Sequence, residues 1–286
     1  MTNTTNPLSK YFRQIALYTS VPSGGEHYPQ GTLKFDNEKE LGVYPMTAKD
    51  EMMMSTPDAL MNGESTVSVI RSCVPGITDP WMMPVMDIDT IMIAIRIATY
   101  GEQMEVTTAI PGLDEKTTVS VDLRVASDQM DTRPFDGYVP AGPISFKIKP
   151  MSYRQLTNLQ LKTYEQQRLI SQVVESDLNP ADKQSKFSEM FMSMTNITVA
   201  NMQESILEIT ADGQNVTDRV YINEFVDNMD SKQANLIKDK LQAQTQLGKL
   251  KPIPVSTTKE QQEKGAPEKF DVPVSMDNSN FFVSKS

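Results

Sequence analysis

The apolar run DIDTIMIAIRIATYG, from Asp87 to Gly101, constrains the fold more than any other part of this sequence. Its β-branched residues would suit a buried strand, and periodicity does not separate strand from helix over so short a run. Acids crowd its start and a glycine stands at its end, which favours a helix. We therefore predict a helix with one apolar face, and Arg96 leaves that face toward solvent or a carboxylate partner. The residues predicted on the face are Ile88, Ile91, Met92, Ile95 and Ala98.

The surrounding stretch, residues 45–101, is predicted to form short helices separated by proline and glycine. Thr47 can cap a helix over AKDEMMM, because a threonine oxygen accepts from the backbone of the first turn. Thr56, followed by a proline and an acid, can start a second helix that ends at Asn62–Gly63. A third helix spans TVSVIRSCV and ends before a Pro-Gly pair. Capping and breaking residues thus organise this part of the chain.

The same stretch holds the only tryptophan, the only cysteine and nine of the 19 methionines. Methionine is flexible and polarizable, so such residues suit either an adaptable partner surface or the filling of a core. Consecutive helical positions turn by about 100°, so Met52, Met53 and Met54 cannot all face one core. We predict that at least one of them contacts a partner or another layer, and we add Trp81 to the candidate contact residues.

Alternating apolar and polar residues on either side of the central stretch predict strands. A first strand is expected within residues 10–20, and residues 31–35 and 41–45 are predicted to form a short hairpin. EQMEVTTAI and KTTVSVDLRVA predict a second hairpin around PGLDE, and residues 142–150 add a strand. Because the strands come in groups, residues 1–150 are predicted to form an α+β body.

Residues 151–247 are predicted to be mainly helical. A glutamine-rich helix begins near residue 152, and Asn179–Pro180 starts a second long helix with an amphipathic stripe. A turn at Asp212–Gly213 lies between short strands, and two short helices follow around Asp230, which can cap the second of them. The stripe consists of Phe187, Met190, Phe191, Met194 and Ile197.

Residues 248–286 are predicted to be an extended or disordered tail, because prolines are frequent and apolar residues are few. Residues 272–274 and 281–283 form two apolar islands in it. Phe281 and Phe282 resemble an anchor that could dock in a partner's groove or add to a sheet edge. Deletion of residues 267–286 is therefore expected to leave the body folded and to weaken partner binding.

The charge and composition exclude several classes of function. The formal net charge is −10, and basic residues form no cluster of the kind that phosphate-dominated nucleic-acid binding requires. We expect no nucleic-acid partner and no anionic-membrane binding. No stretch is apolar over the roughly 18–20 residues of a membrane span, and no signal peptide is recognisable, so a soluble intracellular protein is expected. A single cysteine excludes an intramolecular disulfide and a cysteine-based zinc site within one chain.

Candidate catalytic residues are few. His27 and Cys73 are each the only residue of their type and could pair, although a turn-rich loop and an apolar helix explain them without catalysis. Three acid pairs could serve a hydrolase or a calcium site, but helix capping and loop solvation explain them as well. These pairs are Asp87 with Asp89, Asp128 with Asp131, and Asp114 with Glu115. We predict no enzyme activity, no cofactor and no metal site.

The strings YPMTAKDE, TPDALMNGE, SCVPGITDPW, MPVMDID and IMIAIRIATYG occur in this order. They resemble the baseplate hub family of T-even-type contractile-tailed bacteriophages, densely over about residues 11–110 and faintly in INEFVDNM and FDVPVSMDNSNFF. The resemblance implies a baseplate hub subunit or a hub assembly protein. Some relatives carry a paired-cysteine knuckle, but this chain has only Cys73, so no such role is carried over.

The residues and the resemblance together predict a non-enzymatic phage tail protein that takes part in hub assembly through protein–protein contacts. Other baseplate and hub proteins are the expected partners, and a homo-oligomer stays open. The protein would lie in the host cytoplasm during assembly and in the virion baseplate as a subunit. The alternatives are a hub assembly chaperone absent from the mature virion and a tail-associated hydrolase that uses carboxylates or Cys73. The candidate contact residues are Met52, Met53, Met54, Trp81, Phe281 and Phe282.

Overall fold

The computed structural model describes residues 6–55, 63–113, 116–130, 133–274 and 281–282. These residues form nine α-helices and ten short strands, and every strand pairing between them is antiparallel. The predicted α+β class is therefore confirmed. The predicted helix start at residues 56–58 lies outside the described residues.

The N-terminal part contains four helices and two hairpin-like sheets around one apolar core. Strand β1 pairs with β2, and β3 pairs with β4. The core includes Leu41, Ile70, Ile77, Ile91 and Ile95, all fully buried. The elements are β1 Leu17–Thr19, β2 Leu41–Val43, α1 Ala48–Met54, α2 Glu64–Cys73, α3 Ile88–Tyr100, β3 Gln103–Ala109, β4 Lys116–Asp122 and α4 Leu123–Asp128.

Helix α3 is the predicted apolar helix, and the expectation for its arginine is wrong. Arg96 is buried, donates to the carbonyl oxygen of Gly101 at 3.2 Å and lies 4.7 Å over the ring of Tyr100. An arginine can be buried in this way because its planar guanidinium stacks on an aromatic face while its N–H groups reach a helix-end carbonyl. The helix is thus enclosed on more of its circumference than a one-faced pattern predicts.

Two strand predictions need correction. The hairpin expected from residues 31–35 and 41–45 does not form, because β2 pairs with β1 and Leu33 makes an isolated bridge to Ile77 instead. The strand expected to run through KTTVSVDLRVA ends at Asp122, whose side chain accepts from the backbone N–H of Arg124 and caps α4. An aspartate at that position favours a helix start over a continued strand.

The middle of the chain forms a second core. A four-stranded sheet has the order β5-β6-β7-β8, and Phe146, Ile206, Ile222 and Ile237 are buried between it and two helices. The predicted turn at Asp212–Gly213 and the cap at Asp230 are both present. The elements are β5 Tyr138–Ala141, β6 Ile144–Ile148, α5 Tyr153–Glu175, α6 Pro180–Ser205, β7 Ile206–Ala211, β8 Gln214–Val216, α7 Arg219–Asn228 and α8 Ser231–Gln244.

Helices α5 and α6 form a long helical hairpin between two strands of that sheet. Ser152 and Gln155 make a capping box at the start of α5, and Asn179 caps α6 just before Pro180. At about 1.5 Å per residue the two helices are about 35–40 Å long. Few of their residues are buried beyond the first turns of α5 and the last turns of α6. Most of the hairpin is therefore packed only against itself.

The C-terminal segment is extended, but it packs on the first core. Strand β9 (Ile253–Ser256) pairs with β10 (Lys269–Val272), and α9 (Lys259–Glu263) lies between them. Ile253, Phe270 and Val272 are buried in the N-terminal core. The expectation of a largely unpacked segment is therefore wrong for residues 253–274. The division of the chain at residues 150 and 247 remains a prediction.

Gly248 places the beginning of this segment against the first core. Its φ is +69°, in the region that favours glycine, and a Cβ at this position would overlap the carbonyl oxygen of Met86. The next residue, Lys249, pairs with the carboxylate of Asp89 at 3.2 Å. The close backbone approach and the ion pair together direct the chain back to helix α3.

Candidate interaction surfaces

The three adjacent methionines lie on α1 and face different directions. Thr47 and Asp50 form a reciprocal capping box that fixes the helix start. Met54 is buried in the first core, the Sδ of Met53 lies 3.7 Å from the Oγ of Ser68, and Met52 is 71% exposed. The side chain that could contact a partner is therefore Met52, and the partner contact itself stays a prediction.

Trp81 connects the loop before α3 to the start of α5. It is half-buried, its ring stacks on Tyr153 with centroids 5.6 Å apart, and the guanidinium of Arg154 lies 5.7 Å from the ring centroid. Its indole edge would also meet a Cβ at Gly63 at 3.1 Å. Trp81 thus packs against residues of its own chain, and only part of its side chain is exposed.

Phe281 and Phe282 are buried in the first core. Their rings meet edge to face at 4.7 Å, and Phe281 is fully buried. The hydroxyl of Tyr100 lies 3.0 Å from the carbonyl oxygen of Phe282 and 2.7 Å from the carboxylate of Glu51. In this structure the two aromatics anchor the C-terminal segment to the chain's own core, and their role toward a partner remains a prediction.

An apolar surface on the helical hairpin was not among the predicted contact sites. It consists of Leu178, Pro180, Phe187, Phe191 and Met192, and we call it the hairpin patch. Phe191 is 75% exposed and Met192 is 63% exposed. The amphipathic stripe on α6 was the available signal, but within that stripe only Met190 is buried. A stripe alone does not tell whether another helix of the same chain covers it.

The two residues with potential nucleophile and base chemistry have separate structural roles. Cys73 is fully buried, and its Sγ lies 3.7 Å from the Nη1 of Arg13. Burial, with the nearby Asp50 as a smaller cause, raises the pKa of the Cys73 thiol to about 11, so the thiolate is scarce at neutral pH. The His27 ring packs edge to face on Phe135, and burial lowers its pKa. These contacts do not make a nucleophile–base pair.

Asp87 does not cap α3 as predicted. Its side chain makes no cap hydrogen bond and is fully buried, where it accepts from the N–H of Ser23 at 2.8 Å, the Oγ of Ser23 at 2.6 Å and the hydroxyl of Tyr28 at 3.0 Å. Burial raises the pKa of Asp87 to about 6, although these hydrogen bonds oppose the rise. The carboxylate thus ties the loop around residues 21–28 to the start of α3.

Asp87 should make the stability of this protein measurably dependent on pH. Because the pKa of Asp87 is about 6 in the folded protein and 3.8 ordinarily, the folded state holds its proton more tightly. The contribution of protonated Asp87 to the free energy of unfolding is fully present below about pH 4 and is lost as the pH rises through about 6. Relative to Asp87→Asn, the wild type should lose about 2 kcal/mol of unfolding free energy between pH 4 and 7. Denaturant titrations across this range measure the difference, and parallel profiles would contradict the assignment.

The remaining acid pairs give no site among the described residues. Asp89 pairs with Lys249 and accepts from the N–H of Leu250 at 3.3 Å, so it holds the C-terminal segment. Asp114, Glu115 and Asp131 lie outside the described residues. Within the described part of the chain, no three His, Cys, Asp or Glu side chains are grouped closely enough to hold a metal ion.

Comparison with known protein families decides the class of this protein. A family model described as "T4 bacteriophage base plate protein" matches residues 26–268. The chain belongs to this family. No match is found among curated proteins or solved structures.

The match to the T4 baseplate family covers the second core, the helical hairpin and most of the first core, and it ends before Phe270. It confirms the resemblance at the level of a T4-type baseplate protein. Other baseplate proteins are accordingly the partners that the family implies. Among the described residues of this baseplate protein, no helix is both long and apolar enough to cross a bilayer.

Proposed function

We propose that this baseplate protein is a non-enzymatic subunit of the baseplate hub, which joins neighbouring hub proteins through its hairpin patch. The observation that carries the proposal is the exposure of Phe191 and Met192 on a helical hairpin that packs mainly against itself. Contiguous exposed apolar groups on a soluble protein mark interaction sites, and buried aromatics dominate binding energies at such sites.

The charge of the hairpin supports a contact role. Residues 161–192 carry four basic and five acidic side chains, whereas the whole chain carries 27 and 37. The hairpin is therefore almost neutral on an acidic protein, and an approaching partner meets little repulsion there. An apolar centre with mixed charges around it is the composition of a protein–protein interface.

The other candidate contact residues have smaller roles in the proposed contact with hub proteins. Met52 adds an exposed, adaptable side chain on α1, and the free part of Trp81 adds an aromatic edge. Phe281 and Phe282 would reach a partner only if the C-terminal segment left its own core, which would expose both rings. We assign them to the stability of the body.

The proposed absence of catalysis leads to a direct test of Cys73 and His27. Cys73→Ala and His27→Ala should each leave baseplate assembly and infectivity unchanged at permissive temperature, because neither residue has the geometry of a nucleophile or a base. The buried Cys73→Ala variant should also lose about 1–2 kcal/mol of stability through its cavity. Plaque counts and thermal unfolding measure the two effects. Loss of infectivity by a variant with unchanged folding would favour the hydrolase alternative, and the acids Asp128 and Asp131 would be replaced next.

A hub subunit is present in the finished particle, whereas an assembly chaperone is absent from it. Quantitative mass spectrometry of purified baseplates should find the protein at a fixed number of copies per baseplate. Its presence in assembly intermediates alone, with none in baseplates or virions, would contradict the subunit proposal and favour the chaperone.

A further inference from the structure

A second concave surface lies at the base of the helical hairpin, between the two cores. Its walls are turns of α5, α6 and α8, and its volume is about 680 Å³. The apolar lining includes Leu156 and Leu159 from α5, Met202 from α6 and Leu241 from α8. This volume falls within the range of about 300–1,000 Å³ that small-molecule pockets occupy. We call this surface the basal groove.

Each helix contributes lining residues from one face. The residues are three or four positions apart, as in Leu156 with Leu159 and Lys238 with Leu241. Three helices thus line the groove with their side chains. In a four-helix bundle, three helices line the position of the fourth in the same way. An amphipathic helix fills such a groove with residues at i, i+3, i+4 and i+7.

The charge of the basal groove differs from that of the chain. Lys238 and Lys249 line it, and no aspartate or glutamate is among its described lining residues. Lys249 is held by Asp89, whereas Lys238 is exposed on the rim together with Gln160 and Gln242. In a chain of net charge −10, this local positive charge is complementary to an acidic occupant.

We propose that the basal groove receives a short acidic amphipathic helix of another baseplate protein. Apolar side chains of that helix enter between Leu159, Met202 and Leu241, and its acidic residues face Lys238. This proposal extends the hub function to a second contact, at the opposite end of the hairpin from the patch. It rests on the proposed function only for the source of the helix, because the groove's chemistry can be measured on the isolated protein.

The test uses two synthetic peptides and the purified full chain. Both peptides are about 18 residues long and place leucine at i, i+3, i+4 and i+7; one carries glutamate on its polar face and the other lysine. Fluorescence anisotropy should show tighter binding of the acidic peptide. Lys238→Glu should weaken that binding about fivefold, while Lys232→Glu should change it by less than about twofold. Lys232 is the matched control, since it is exposed on the same helix outside the groove.

Hydrogen exchange locates the bound peptide. Bound acidic peptide should slow amide exchange in residues 156–160, 198–202 and 238–245. Equal binding of both peptides, equal effects of the two lysine variants, or protection elsewhere would overturn the proposal. Binding of dodecyl sulfate below its micelle concentration, with binding of neither peptide, would also overturn it and assign the groove to small anionic amphiphiles. None of these results depends on baseplates, so they are separate from the copy-number test of the hub function.

Discussion

Removal of residues 267–286 should abolish the cooperative unfolding transition of the N-terminal body. The deletion takes Phe270, Val272, Val274, Phe281 and Phe282 out of the first core. Full burial of each such side chain contributes about 1.5–3 kcal/mol, so their sum is comparable to a whole stability of about 5–15 kcal/mol. This result is opposite to the expectation from sequence that the body would remain folded without its tail. Circular dichroism during thermal unfolding measures it.

A point variant separates this packing effect from the effect of shortening the chain. Phe281→Ala should lower the unfolding free energy by about 3–5 kcal/mol, because it leaves a cavity at a fully buried ring. Phe191→Ala, at a residue that is 75% exposed, should change it by about 0.5 kcal/mol or less. Equal effects of the two variants, or a normal transition after the deletion, would contradict the placement of the C-terminal segment.

The C-terminal segment shows what composition misses. Its prolines and charged residues are typical of an unpacked chain, and neither the composition nor the two apolar islands shows that these few apolar side chains are buried in a distant core. Alternate residues of β10, Phe270 and Val272, face the first core, which is completed only by residues distant in sequence. Sequence patterns describe local preference, whereas this packing depends on a contact across more than 150 positions.

Local signals predicted local structure well. The caps at Thr47, Asn179 and Asp230 all form as the residue types indicate. The side chain of Asp87 was less predictable, because its hydrogen-bond partners lie elsewhere in the chain, whereas Arg96 contacts Tyr100 and Gly101 at the end of its own helix. Asp87 depends on Ser23 and Tyr28, which lie about 60 positions earlier in the chain.

The candidate surface was predictable in part. The periodicity of α6 identified Phe187 and Phe191 as members of one stripe, but not which of them the hairpin would leave exposed. That depends on the pairing of α5 with α6 and on the distance of the hairpin from both cores. The predicted contact residues followed other signals: adjacency on one helix for Met52, Met53 and Met54, and an apolar island in the tail for Phe281 and Phe282. Neither signal reports the exposure of a side chain.

The introduction of negative charge into the hairpin patch should have the largest effect on baseplate assembly. The double variant Phe191→Glu/Met192→Glu places two charges in the centre of the patch, where a partner would have to bury them unpaired. Binding to hub proteins should weaken by at least about 30-fold, as expected for a hot spot of about 2 kcal/mol or more. Folding should be unaffected, because both side chains are mainly exposed.

The matched control is Val220→Glu/Tyr221→Glu on α7. Its two residues are also adjacent, apolar and mainly exposed, and the change in net charge is the same. The control should bind hub proteins as the wild type does, and both double variants should unfold near the wild-type temperature.

The decisive measurement is the number of molecules of this protein per baseplate. The baseplates come from phage that lack their own gene for the protein and are supplied with the wild type or with one of the two double variants. Quantitative mass spectrometry should find the wild type and the Val220→Glu/Tyr221→Glu control at the same fixed copy number, and the Phe191→Glu/Met192→Glu variant at less than about a tenth of it. Incorporation of the patch variant at the wild-type level would contradict assembly through the hairpin patch, and absence of the wild type from baseplates would contradict the subunit itself.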